Sequence, residues 1–232
     1  TGNFRLPNTT SVGTYGVIYK GTTRFIHDFN YGNNGTVTTD GANTFIGINA
    51  GNFTMGSTAT ATNQSSDNTG IGYNALSSNT TGYRNTAVGN YSLYYNTTGY
   101  RNTAVGNYSL YYNTTGSNNT ALGYDSLYSN TTGNYNTAIG VNSLSANTTG
   151  GWNTALGEAS LYYNTTGSAN TAIGMFAGRY IANGSTGNQT SNNSVYLGYN
   201  TKALADGDTN ETVIGYNATG AGSNSVVLGN DS

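Results

Sequence analysis

The side chains in this chain that have chemistry to offer are mainly phenols, and they recur on a fixed spacing. Tyr94, Tyr111 and Tyr128 stand 17 residues apart, Tyr162 returns to the same slot, and Tyr95, Tyr112 and Tyr163 hold the slot after it. Rows of aromatic faces suit stacking on sugar rings, provided convergent polar groups stand beside them. A second reading, favoured here, has the rings packing on one another and covering the surface or a subunit seam, as cross-strand aromatic pairs do. Trp152, Arg84 and Arg101 join the tyrosines as candidate contacts for a cell-surface glycan or a protein receptor. They fall in the most variable slots of the period, at Tyr83-Arg84, Tyr100-Arg101 and Gly151-Trp152. Partners are often read at variable turns, although an unconstrained loop tip gives the same pattern.

Catalytic chemistry is sparse. Between Asn68 and Ala169 the charged side chains are Arg84, Arg101, Asp125 and Glu158, and the whole chain has one His. His27 beside Asp28 has no partnered nucleophile, and neighbours on a strand point to opposite faces. Asp125 and Glu158 fall two repeats apart in different slots, which does not make the carboxylate pair that glycoside cleavage needs. Asp206, Asp208 and Glu211 in DGDTNE offer oxygen ligands suited to Ca²⁺, but without the spacing of a full calcium loop. The expectation is a protein that is not an enzyme and needs no metal or cofactor.

The elements that must position the tyrosines follow from the repeat. Six consecutive copies of one 17-residue unit run from Asn68 to Ala169 without insertion or deletion, with consensus N-T-A-[VIL]-G-x-x-[SA]-L-x-x-N-T-T-G-x-x. A period this strict means one structural unit stacked on itself. Two Gly per unit, abundant Asn and Thr, and no 3.6-residue apolar recurrence argue against helix. Short strands joined by turns fit, with alternation sending Thr86 and Val88 to one face and Ala87 to the other. The expected structural core is the first apolar slot (Val88, Val105, Leu122, Ile139, Leu156) and the second (Leu93, Leu110, Leu127, Leu144, Leu161).

Asn79, Asn96, Asn113, Asn130, Asn147 and Asn164 open the Asn-Thr-Thr triplets. Stacked in register, these side chains would form an amide ladder, each donating to the carbonyl oxygen of a neighbouring rung. The triplets also satisfy the N-x-[ST] glycosylation pattern, and the two readings compete, because a ladder Asn cannot carry a bulky glycan.

The fold class expected is therefore all-β, a stacked-rung β-roll or β-solenoid with 17-residue repeats. Residues 1–42, with β-prone runs at Gly16-Val17-Ile18-Tyr19 and Arg24-Phe25-Ile26-His27, read as a strand-rich N-terminal cap or adaptor. Residues 43–67 read as a first rung plus a polar excursion, 68–169 as the six repeats, and 170–232 as further rungs with a loop inserted near 175–192. Two apolar slots make a thin core, so several chains are expected to pack their apolar faces together. A formal net charge of −2 and a pI near 5.0 offer no basic patch for nucleic acid. No apolar run approaches a membrane span, so no membrane insertion is expected of the chain. A start at Thr1 without Met or signal peptide reads as a processed product or a fragment.

The C-terminal stretches NNSVYLGYNTKA, NETVIGYNATGAG and SNSVVLGNDS resemble the head repeats of trimeric autotransporter adhesins of the YadA type. The 17-residue array resembles repeats of phage tail-fibre-like proteins. The resemblance covers about residues 68–232 and implies a homotrimeric left-handed β-roll, an extracellular setting on a cell-surface appendage or virion, and a role as stalk or adhesive head. The expected function is an extracellular structural or adhesive fibre segment. The alternative is a purely structural self-assembling filament or spacer, and an ice-binding solenoid carrying Thr97 and Thr98 rows is a distant third.

Overall fold

The computed structural model describes residues 18–27 and 33–229. Among them there is no helix, and thirteen short strands form one sheet in chain order. A hairpin of β1 (Ile18–Lys20) and β2 (Thr23–His27) pairs antiparallel with β3 (Thr44–Ile46). From β3 onward every pairing is parallel. The stack continues through β4 (Thr69–Ile71), β5 (Thr86–Val88), β6 (Thr103–Val105), β7 (Thr120–Leu122) and β8 (Thr137–Ile139). It ends with β9 (Thr154–Leu156), β10 (Thr171–Ile173), β11 (Val195–Leu197), β12 (Thr212–Ile214) and β13 (Val226–Leu228). The register joins equivalents: Thr86 lies opposite Thr103, Ala87 opposite Ala104 and Val88 opposite Val105. The chain is a β-solenoid of 17-residue rungs. Gly16, Val17 and Asp28 of the expected cap lie outside the described residues.

Each rung is closed by tight turns that require unusual backbone. In the unit from Asn85 to Arg101, Gly89, Tyr91, Leu93 and Arg101 all have positive φ, and the same slots repeat it along the array. For a branched residue such as Leu93, at φ 50°, that conformation costs roughly 1–2 kcal/mol. It persists because Leu93 N donates to Ser109 O at 3.0 Å in the next rung and its side chain is fully buried. Gly99 is required for another reason: a Cβ there would collide with Asn96 Oδ1 and with the carbonyl of Gly116, so the rungs approach too closely for any side chain.

The interior differs from the expected core in one respect. Leu93, Leu110, Leu127, Leu144 and Leu161 are buried as expected, but their partners inside are Ala87, Ala104, Ala121, Ala138 and Ala155. Val88, Val105 and Ile139 are only half-buried, and Leu122 and Leu156 are exposed. A three-residue strand sends its middle residue one way and its ends the other. The coil is so narrow that only Ala fits opposite Leu, and the larger aliphatic goes out. Where an aromatic replaces that Ala, a Gly makes room: Phe45 packs where a Cβ on Gly70 would stand, and Tyr196 does the same to Gly178.

The remaining interior is polar. In one column Asn96 Nδ2 donates to Asn79 Oδ1 at 2.7 Å, Asn113 to Asn96 at 2.7 Å, Asn130 to Asn113 at 2.8 Å, Asn147 to Asn130 at 2.8 Å and Asn164 to Asn147 at 2.9 Å. The second hydrogen of each amide goes to a Gly carbonyl of its own rung, as from Asn113 Nδ2 to Gly116 O at 2.9 Å. These six Asn are buried and their amides are spent, so the amide ladder forms and the folded rung leaves no room for a glycan on them. A second column, unforeseen, runs through Asn68, Asn85, Asn102, Asn119, Asn136, Asn153 and Asn170. There Asn85 Oδ1 accepts from Asn102 N at 3.0 Å while Asn85 Nδ2 donates to Gly99 O at 2.8 Å. A third row of Thr hydroxyls donates forward, as from Thr97 Oγ1 to Thr114 O at 3.0 Å.

The expected excursions are smaller than their sequence spans. Ala50 and Met55 stay in the core, and Gly51 and Gly56 remain bonded to Ala75 and Thr80 of the next rung, so the chain departs only around residues 57–64. In the later insertion Gly178 N still donates to Thr201 O, Tyr180 bridges Gly187, Ile181 bridges Ala203 and packs on the core, and the tip is residues 182–186.

Replacing Asn113 by Ala strands Asn96 Oδ1 and one hydrogen of Asn130 Nδ2 in the interior, while Gly116 O keeps Asn102 Nδ2, and is expected to cost about 2–4 kcal/mol. Thr98→Ala at the exposed turn should cost about 0.5 kcal/mol or less, with urea unfolding of the two variants as the check. Glu211 sets a pH dependence. It is fully buried, its Oε1 accepts from Gly222 N at 2.9 Å and its Oε2 has no partner. Burial pushes its carboxyl up, against the pull of the Gly222 amide. A folded value above the unfolded one means stability that is present at acid pH and lost as pH rises through the folded value. Melting temperature should therefore climb as pH is lowered from 7 towards 5, and Glu211→Gln should diminish that slope.

Candidate functional site

The tyrosines fall on the turns that follow each strand, and the rung spacing turns them into columns. Tyr94, Tyr111 and Tyr128 stack face to face at 5.4 and 5.2 Å, Tyr95 stacks on Tyr112 at 5.4 Å, and Tyr91 stacks on Tyr108 at 5.3 Å. Neighbouring columns meet edge to face, as between Tyr94 and Tyr95 at 4.6 Å and between Tyr108 and Tyr111 at 5.5 Å. The rings thus satisfy one another, with about 0.5–1.5 kcal/mol per pair beyond burial. Tyr95 and Tyr112 remain exposed at the outer edge.

Tyr162 does not join this cluster directly, because Ser145 occupies the intervening place in its column. The Arg179 guanidinium lies instead over Tyr162 at 5.0 Å and over Tyr180 at 4.8 Å. Trp152, Arg84 and Arg101 lie at the turn leading into the next strand. Trp152 stacks on Tyr135 at 5.6 Å and is 65% exposed. Arg84 and Arg101 each sit 5.9 Å from the ring before them, Tyr83 and Tyr100, which stack on each other at 4.9 Å. Arg84 also reaches Asp67 at 3.5 Å, an exposed pair of small energetic weight. Among the described residues no ring contact joins Tyr83 and Tyr100 to Tyr135 and Trp152, or either pair to the Tyr94 column, so the sequence-predicted contacts form separate patches.

Sequence reasoning passed over the column of Tyr91, Tyr108 and Asp125, together with Tyr124. Beside them an open surface depression of about 420 Å³ is lined by Tyr108, Tyr111, Tyr124, Asp125 and Tyr128. The signal was present in the repeat: the slot filled by Tyr91 and Tyr108 turns to Asp at 125, the one carboxylate among the ring columns. Asp125 Oδ1 is buried with no hydrogen-bond partner. Desolvation pushes its carboxyl up, opposed by a hydrogen bond from Tyr124.

The other titratable candidates have structural duties. His27 is buried, its Nε2 lies 2.7 Å from Ala50 O, and its ring packs on Phe45 and Phe53. Asp206 Oδ1 accepts from the amides of Gln189 and Thr190 at 2.7 and 2.8 Å. Asp208 Oδ2 accepts from Ala205 N at 2.8 Å and Oδ1 from Ser223 Oγ at 3.0 Å. The three carboxylates of DGDTNE thus tie loops to rungs, and among the described residues no cluster of three metal-ligating side chains occurs. Asp125 and Glu158 remain two rungs apart. A comparison with protein-family models, curated proteins and solved structures finds no match to this chain.

The packed phenols should show in an alkaline titration. Burial and then the neighbouring Tyr112 hydroxyl push the Tyr128 phenol up to about 12, and burial with Tyr95 beside it raises Tyr111 further. Folded values above the unfolded one near 10 give stability that is lost as pH rises through the folded value. Ultraviolet titration should show exposed phenols ionising first and a delayed group ionising together with loss of structure. Tyr128→Phe should move that unfolding to higher pH.

Proposed function

We propose that this chain is a segment of an extracellular fibre, structural or adhesive, in which copies associate as a homotrimer through the outward aliphatic column of the sheet. One observation carries the reading. The strand ends that alternation turns outward form a continuous apolar row in register, exposed at Ile71, Leu122, Leu156, Ile173 and Leu197. An apolar row of this length facing water is a surface waiting for cover. A straight stack of identical rungs presents the same row on every copy, and a closed symmetric ring of chains buries all of them at once. The number three and the extracellular setting come with the resemblance to adhesin heads and tail fibres.

In this reading the rungs act as a rod, and the aromatic patches are the surfaces from which a glycan or protein receptor would be bound with threefold avidity. The self-satisfied stacking of the Tyr94 column favours the companion reading, a filament or spacer that binds nothing through that column. Glycan-array binding that is lost on changing Trp152 or Tyr112 would favour the adhesive form, and no binding at high avidity the spacer.

Light scattering over a wide concentration range should give a mass of three chains. The double variant Leu122→Glu, Leu156→Glu should fall to one chain with its circular dichroism retained, because both side chains lie outside the rung. A wild-type chain that stays monomeric and folded at every concentration would sink the trimer.

A further inference from the structure

The depression beside Asp125 opens where the next ring of a tyrosine column is missing. Tyr91 and Tyr108 stack with an interplanar angle of 4°, and the next place in that column belongs to Asp125, whose side chain ends where a ring would begin. The far face of Tyr108 is therefore left without a ring of its own column upon it. Around the gap stand Tyr124 and Tyr128, edge to face with Tyr108 at 6.3 and 6.4 Å, and Tyr111. The Asp125 carboxylate lines it, with Oδ1 buried and without a hydrogen-bond partner.

We propose that this depression is a binding site for an organic cation, a guanidinium or alkylammonium group that lies against Tyr108 and pairs with Asp125. Faces of phenol rings attract cations through their quadrupole, and a cage of several rings with one carboxylate is the arrangement that holds such groups out of water. A buried carboxylate oxygen lacking a partner is satisfied best by a charged donor. Among the described residues no ion pair reaches Asp125, so none of them supplies the positive charge. Burial raises the affinity of this carboxyl for a proton, and the Tyr124 hydroxyl only partly offsets it.

The chain already contains the interaction in internal form. Arg179 stands in the slot that Tyr94, Tyr111, Tyr128 and Tyr162 fill in earlier rungs, and its guanidinium takes the place of a ring over Tyr162. The columns thus accept a planar cation where a ring is absent, and at Tyr108 the cation must come from outside. The site does not depend on whether the fibre is adhesive or how many chains it has.

The test uses the full chain in its native assembly, titrated calorimetrically with ethylguanidinium, tetramethylammonium and, as a neutral ring, methyl glucoside. The expected result is one cation bound per chain, at least tenfold weaker in Asp125→Asn and lost in Asp125→Tyr. Both substituents already occupy this slot, at Asn142 and Tyr108, with the same positive φ, so both variants are expected to fold. If Asp125→Tyr fails to fold, the Asn variant decides. Preference for ethylguanidinium would point to an arginine side chain of a partner, and preference for tetramethylammonium to a free or headgroup alkylammonium. No cation binding, binding unchanged in either folded variant, or methyl glucoside bound as tightly as the cations would overturn the proposal.

Discussion

Register between rungs is the constraint on which this structure depends, and buried amides impose it. An aliphatic interior alone would let one rung slide or rotate on the next at small cost, since the hydrophobic effect has no direction. The two Asn columns give the interior a direction: Asn113 must meet Asn96 Oδ1 and Gly116 O, and Asn102 must meet Asn85 Oδ1 and Gly116 O. A slip would strand those groups in a dry interior. Once rungs are locked in this way, every other residue inherits a column, and rows of Thr, aliphatics and tyrosines form without further instruction.

Much of the fold could be read from the residues, because a strict period leaves few alternatives. The period, the short strands at Thr86-Ala87-Val88 and the ladder through Asn96 and Asn113 all follow from spacing and side-chain chemistry. The inner and outer faces were less legible. Val88 and Ala87 are both apolar, and only the width of the coil, a property of its tight positive-φ turns, decides that Ala goes in. Those turns are themselves hidden in the sequence, since Leu93 and Tyr91 at positive φ break the usual association of that conformation with Gly and Asn. The Asn85 column escaped notice because its acceptor bonds go to backbone amides, which carry no residue signature.

The candidate site was half legible. The tyrosine rows are plain in the sequence, but which rows touch is a matter of turn geometry: Tyr91 and Tyr94 meet at 5.4 Å only because the chain reverses between them. Asp125 looked like one of a few scattered charges. Its meaning came from its column, where it follows two stacked rings. In a repeat of this kind the informative residue is the one that departs from its neighbours above and below.

The near identity of junctions has a consequence for how such a chain changes over generations. The unit from Asn85 to Arg101 meets its successor through the same hydrogen bonds that the successor uses for the unit after it. Unequal exchange between the corresponding gene segments would add or remove whole rungs and leave every junction chemically unchanged. Length then varies in steps of about 4.8 Å while the cross-section stays fixed. The residues that resist such exchange are those that read differently from their copies, Asp125 and Arg179 among them, because duplicating or deleting their rungs changes what the surface can hold.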